Sequence, residues 1–154
     1  MNLIYDRTAA DAARWETLRD KGYVTMTAAE KVEWNAGMKG AYNTTDLNRV
    51  ETAVLALASA LNAAGYAVDV ATKTDWAWED IPSPEDLTRY LANVEAIREA
   101  LTVLETTPQT PESMAKLKWD KANDIEKILA DVDDAITRMP LSFWGSGEIG
   151  CGEQ

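Results

Sequence analysis

The stretch AYNTTDLNRVETAVLAL, residues 41–57, decides the fold. Its apolar residues recur at intervals of three and four positions, which is the heptad-type spacing of a helix that packs along one side. Thr44 or Thr45 is expected to cap this helix at its start, and Gly65 to end it. The apolar positions of this heptad seam are Leu47, Val50, Val54, Leu57 and Leu61.

A similar phrase recurs in the last third of the chain, where DIEKI at residues 124–128 parallels DLNRV at residues 46–50. In each copy an acid precedes apolar residues at helical spacing, and an acid in a first helical turn is favoured by the helix dipole. The phrase therefore predicts two related helix-start units, around residues 44–65 and 120–139. The alternative is chance, because short helix-start patterns are common.

Two helices are predicted before this stretch, each from a capping sequence. Thr8 followed by Asp11 can cap a helix that runs to Lys21. Thr27 followed by Glu30 forms a capping box for a short second helix.

Two further helices are predicted after it. Ser83 and Pro84 open the fourth helix, with proline at the first helical position. The fifth follows Trp119 and is expected to stop at Pro140. The seam of the fourth helix includes Leu87, Leu91 and Val94.

These elements predict a mainly α fold: a helical bundle with heptad-patterned helices and one short β strand or hairpin. The strand is expected around residues 66–78, where apolar residues briefly alternate. The predicted organisation is an N-terminal helical hairpin over residues 1–40 and a main helical domain over residues 41–140. A Gly-rich C-terminal arm follows over residues 141–154.

The bulk composition excludes several classes of protein. The 154 residues carry a net charge of -11, which phosphate backbones would repel, so direct nucleic-acid binding is not expected. The longest apolar runs are far shorter than a membrane span, so no membrane insertion is expected. The first residues lack the cationic start and apolar run of a signal peptide.

The residue types needed for catalysis are scarce. The chain has no histidine and one cysteine, Cys151, which excludes an internal disulfide and the classical zinc sites. Ser146 lies between two glycines but lacks the context of a nucleophile elbow. The acids at 131–134 point in different directions on a helix. We therefore expect no catalytic residue, no metal site and no cofactor.

Six tryptophans are the compositional oddity. Trp76 and Trp78, two positions apart, can pack within the chain or its oligomer, contact a partner, or form a platform for a sugar.

Several strings resemble small structural proteins from the tail-fibre and baseplate region of tailed phages and prophages of Gram-positive gut bacteria. The resemblance spans roughly residues 40–138. It is carried by D-L-N-R-V-E at 46–51, D-I-P at 80–82, Y-L-A-N-V at 90–94 and A-N-D-I-E-K at 122–127.

The resemblance implies a structural role in the virion, for a protein made in the bacterial host cytoplasm, and it supplies no active site. The expected partners are copies of the chain, as a trimer or higher closed oligomer, and other phage tail proteins. The expected assembly interface comprises Leu47, Val50, Val54, Leu57, Leu61, Leu87, Leu91, Val94, Trp76, Trp78, Phe143 and Trp144. Two alternatives stay open: a small acidic phage-encoded inhibitor that mimics nucleic acid on a host defence protein, and a glycan-binding module.

Overall fold

The computed structural model describes residues 1–145, and side chains up to residue 139. The remainder of the C-terminal arm and the side chains of Phe143 and Trp144 lie outside the described residues. Within the described part the fold is mainly helical, as predicted, and contains no strand. The elements are α1 (Ala9–Lys21), a 3-10 turn (Tyr23–Thr25), α2 (Ala28–Asn35), α3 (Thr44–Ala63), α4 (Pro84–Glu99) and α5 (Trp119–Gly145).

The predicted capping residues start α1, α2 and α4. Thr8, Thr27 and Ser83 each accept a hydrogen bond from the backbone of the acid three positions later, and that acid accepts one in return. The prediction for α3 was wrong by one residue. Asn43 is the cap, because its side-chain oxygen accepts from the Thr45 amide at 2.9 Å and Asp46 accepts from the Asn43 amide at 2.9 Å.

The helix α5 continues through Pro140 to Gly145, so the predicted end at Pro140 was wrong. A proline inside a helix removes one backbone donor. The turns of α5 before the proline pack against the main core. The face that packs there runs from the buried Ile125 to the half-buried Ile136.

The three-helix bundle of α3, α4 and α5 forms the main core, with each helix packed on the other two. Its buried side chains include all the seam residues predicted for α3 and, in α4, Leu91 and Val94. Fully covered examples are Val50, Leu61, Val94, Ile97, Ile125, Ile128, Leu129 and Val132. Burying side chains of this size stabilises the fold by roughly 1.5–3 kcal/mol each before entropy is subtracted.

A second, smaller cluster holds the hairpin unit, residues 8–40, together. Leu18, Met26 and Met38 are buried there, and Trp15 and Trp34 pack against them. The unit closes on itself at Gly40: a Cβ there would lie 2.0 Å from the carbonyl oxygen of Asp11. Only glycine permits that approach of backbone to backbone.

The first seven residues pack on the three-helix bundle. Leu3 packs against the main core, and Arg7 is buried beside α3 and α5. The chain therefore contacts the bundle before it forms the hairpin unit, and returns to it at Tyr42.

The connecting segment between α3 and α4, residues 66–82, has no strand ladder, so the predicted strand or hairpin is not confirmed. Its backbone groups bond instead to helix side chains. Three asparagines each donate to a backbone carbonyl and accept from an amide of one residue in the segment, at 2.7–3.2 Å. The pairs are Asn62 with Val68, Asn93 with Ala71, and Asn48 with Trp76. An asparagine amide offers the same donor and acceptor as a neighbouring strand.

Candidate assembly interface

The predicted seam residues lie inside the chain. Leu47, Val50, Val54, Leu57, Leu61, Leu91 and Val94 are buried in the main core, and Leu87 is half-buried. The three helices of one chain cover these side chains, so in this conformation their surface is not open to a partner. A contact between copies must use other surfaces, or must exchange whole helices.

The two neighbouring tryptophans have opposite environments. Trp76 is buried against α3, and its indole Nε1 donates to the Glu51 carboxylate at 3.3 Å. Trp78 is 88% exposed. The pair does not present two rings on one face, which a two-tryptophan sugar platform would require.

Trp78 stands on a tight turn, residues 77–80. The Asp80 amide donates to the Ala77 carbonyl, and the Ala77 amide donates to the Asp80 carboxylate, both at 3.0 Å. Lys73 pairs with Asp80 at 2.8 Å. Ile81, the next residue, is 92% exposed. We call Trp78 and Ile81 on this turn the knob.

The base of the knob is fixed to the bundle through Glu51. Its carboxylate accepts two hydrogen bonds from the Arg89 guanidinium, at 2.8 and 2.9 Å, and one from the Lys73 amide at 2.8 Å. The hydrogen bond to Glu51 raises the pKa of Arg89. Glu51 is almost fully buried, and with Trp76 it connects α3, α4 and the connecting segment.

A groove of about 440 Å³ lies between the first residues of the chain and one side of α3. Leu3, Ala53 and Ala56 make its apolar surface, and Thr45 and Thr52 add hydroxyls. Among its nine lining residues in the described part of the chain, one side chain is cationic and none is a carboxylate. Asn48, which holds the Trp76 backbone, also lines the groove, so the groove and the knob are neighbours.

Beneath the groove lies a charge cluster of four residues, Arg7, Asp46, Arg49 and Glu126. Arg7 contacts Asp46 and Glu126, each at 2.8 Å, and Arg49 contacts the same two carboxylates. Burial disfavours the charged form of Arg49, but its hydrogen bonds to Glu126 and Asp46 outweigh burial and raise its pKa. Two cations and two anions balance, which is what burial of charge requires.

The repeated phrase supplies three members of this cluster, but its two copies are not equivalent. Asp46 lies in the first turn of α3 and accepts from the capping residue. Asp124 lies in the second turn of α5 and pairs with Lys121 at 2.8 Å on the surface. The apolar residues of the two copies have the same buried environment, whereas their first acids have different positions and partners.

Sequence reasoning missed Arg7 and Glu126. Glu126 is 0% exposed between two buried isoleucines, Ile125 and Ile128. An acid on the apolar side of a predicted seam is the signal that a buried partner is needed. Nothing in the sequence around Arg7 marks it as that partner.

The hairpin unit carries exposed apolar side chains of its own. Val24 is 89% exposed and Val32 71% exposed. Tyr23 is held beside α2 by a hydrogen bond from Asn35 at 3.1 Å, and Lys31 lies 5.3 Å from its ring centroid.

Neither a metal site nor a membrane-spanning helix is found within residues 1–145. No group of three or more carboxylates or cysteines in this part of the chain has the geometry to hold a metal ion. None of the helices described here has the length and apolar content to cross a membrane. In comparisons with known proteins, no protein family, no curated protein and no solved structure matches the chain.

Proposed function

We propose that this protein is a non-catalytic structural protein of a phage or prophage virion, an adaptor associated with the tail fibre or baseplate that self-assembles. The observation that carries the proposal is the pair of separate apolar surfaces. One is the knob on the three-helix bundle, and the other comprises Tyr23, Val24 and Val32 on the hairpin unit. Exposed apolar groups on rigid elements are typical of protein–protein contacts.

An adaptor needs two contact surfaces on a scaffold that keeps their positions. The two hydrophobic clusters supply such a scaffold, because each surface belongs to a unit with its own core. The charge cluster and Gly40 stiffen the junctions of the chain. The proposed location in the virion rests on the sequence strings that resemble phage tail proteins.

The heptad-type spacing of α3 and α4 belongs to the same proposal. Such seams suit helices that associate side by side, within a chain or between chains. Because the seams are covered by the chain's own helices, we propose that copies associate through the exposed apolar surfaces as a trimer or higher oligomer.

The alternative of an acidic inhibitor that mimics nucleic acid is less well supported. A mimic needs carboxylates on one face with few cations between them. On α5 three acids pair with bases of the same helix: Asp124 with Lys121, Asp131 with Lys127, and Asp134 with Arg138. Such pairs reduce the negative field that a basic partner would recognise.

The decisive experiment is peptide mass spectrometry of particles purified after prophage induction in the strain that encodes the chain. We expect the protein in particles at a fixed ratio to the other tail proteins, in amounts that survive a density gradient and a high-salt wash. Presence only in the cell lysate, with none in the particle band, would contradict the proposal. A pull-down from that lysate that recovers a basic nuclease would favour the inhibitor instead.

A further inference from the structure

The knob and the groove are neighbouring apolar features of the molecule, one projecting and the other concave. The knob projects two large apolar side chains, Trp78 and Ile81, almost completely into solvent. The turn beneath them is closed by Asp80 and fixed to the bundle. A side chain presented in this way loses little freedom when it is buried by a partner, which favours binding.

The groove can accept such a projection. Its volume of about 440 Å³ lies within the ~300–1,000 Å³ range of pockets that enclose a ligand-sized body. The alanines Ala53 and Ala56 leave room for a ring, and the hydroxyls of Thr45 and Thr52 offer acceptors for an indole N–H.

The charges favour the same pairing. The side chain of Asp75 is 87% exposed and that of Glu79 is also exposed, so carboxylates flank the knob. The groove is free of carboxylates among its described lining residues, although the chain carries a net charge of -11. Arg49 places its guanidinium at the wall, where it also contacts Asp46 and Glu126. An acidic projection therefore meets less repulsion there than at the acidic stretches of the surface.

We propose that the knob of one copy inserts into the groove of a second copy, and that this contact assembles the protein. This inference rests on the proposed self-assembly and names the two surfaces that carry it. The knob cannot fill the groove of its own chain, because Trp78 is exposed in the single chain. Repetition of this contact around three or more copies gives a closed ring.

Two variants separate the two halves of the contact. Trp78→Ala removes the knob and keeps the groove, whereas Ala56→Trp fills the groove and keeps the knob. The molar mass is measured by light scattering after size exclusion, from about 1 µM to about 1 mM, with reductant to exclude links through Cys151. We expect the wild type to form an oligomer and each variant to remain at the chain mass of 17.0 kDa. Each variant should weaken self-association by at least about 30-fold, as central aromatic contacts do.

Mixing the two variants is the sharp test. One knob and one groove remain in the mixture, on different chains, so an equimolar mixture should give a species of twice the chain mass and nothing larger. Variants at matched exposed positions, Leu104→Ala and Ala92→Trp, should retain the wild-type mass. Circular dichroism checks the fold of each protein, and Thr52→Trp replaces Ala56→Trp if the latter fails to fold.

A wild-type protein that is monomeric at every concentration would overturn the inference. So would an unchanged oligomer in either single variant, or a mixture in which both variants stay monomeric. These results are distinct from a failure of the proposed function. If the protein is monomeric but present in purified particles, the contact is wrong and the virion role stands. If it is oligomeric through this contact but absent from particles, the contact stands and the virion role is wrong.

Discussion

Arg7 and Glu126, 119 positions apart in the chain, lie 2.8 Å from each other in the interior, between Arg7 Nη2 and Glu126 Oε1. The same carboxylate accepts from the Ile4 amide at 2.6 Å, and Asn123 exchanges two hydrogen bonds with the Arg7 backbone at 2.9 and 3.0 Å. The first residues are thereby fixed to α5. Arg49, which contacts the same Glu126 carboxylate, lines the groove, so the charge cluster supports the proposed assembly surface from beneath.

We predict that Glu126→Gln destabilises the protein by about 3 kcal/mol, because it leaves the buried Arg7 and the half-buried Arg49 with one carboxylate. Urea unfolding followed by circular dichroism measures the loss. The matched control is Asp124→Asn, two positions away in α5, which breaks the surface pair with Lys121 and should cost less than about 1 kcal/mol. Equal losses of unfolding free energy in the two variants would show that the charge cluster stabilises the fold no more than a surface ion pair does.

The reciprocal amide pair of Asn93 should hold the connecting segment in place. Asn93→Ala leaves the amide and the carbonyl of Ala71 without these bonds, at a cost of about 1–3 kcal/mol. We expect faster hydrogen exchange at residues 70–74, with little change in α5. Asn35→Ala is the control, because Asn35 bonds only an exposed tyrosine hydroxyl. Unchanged exchange in the connecting segment would show that its position does not depend on the asparagine.

Gly40→Ala should loosen the hairpin unit. The added Cβ would lie 2.0 Å from the Asp11 carbonyl oxygen and 2.8 Å from the Ala12 amide nitrogen, both of which are backbone atoms that cannot turn away. We expect a loss of at least about 2 kcal/mol, or separate melting of the hairpin unit, seen by Trp fluorescence. Gly65→Ala is the control: its backbone is left-handed but open, so the loss should be about 1–2 kcal/mol. A smaller loss at Gly40 than at Gly65 would argue against the close approach.

The buried Tyr90 and the half-buried Tyr42 should make the protein sensitive to alkali. Burial raises the pKa of Tyr42 and of Tyr90, whose hydroxyls contact each other. A raised pKa in the folded state gives stability that is complete below the unfolded pKa of about 10 and is lost as pH rises above it. We expect the urea midpoint to fall from about pH 10 upward, and to fall less steeply in Tyr42→Phe. Tyr5→Phe is the control for loss of an exposed hydroxyl, and an equal slope in both variants would contradict the prediction.

Acid should weaken the hairpin unit. The hydrogen bond from Lys21, followed by that from the Thr27 backbone, lowers the pKa of Glu30 from 4.5 to about 2. A lowered pKa gives stability that is present above the unfolded value and is lost as pH falls from about 4.5 to about 2. We expect NMR titration to place the Glu30 carboxyl near pH 2. In Lys21→Met that carboxyl should titrate at higher pH, while Lys121→Met, in α5, should leave it unchanged.

The sequence by itself determined where most helices begin and which of their sides are apolar. Capping residues such as Thr27 and Ser83 act on amides three positions away, and seam residues such as Val50 repeat with the helical turn. Both signals are local, so they can be read from neighbouring residues. Two predictions from these local rules were wrong: α3 is capped by Asn43 and not by Thr44 or Thr45, and α5 continues past Pro140 to Gly145.

Tertiary structure alone decided what covers each apolar side and which polar groups meet. The burial of Glu126 depends on Arg7, and the buried state of Trp76 beside the exposed Trp78 depends on Asn48 and Glu51 in another helix. The connecting segment alternates like a strand but finds side-chain amides instead of a second strand. Such outcomes depend on residues that are far apart in the chain and meet only when the helices pack, so no local pattern contains them.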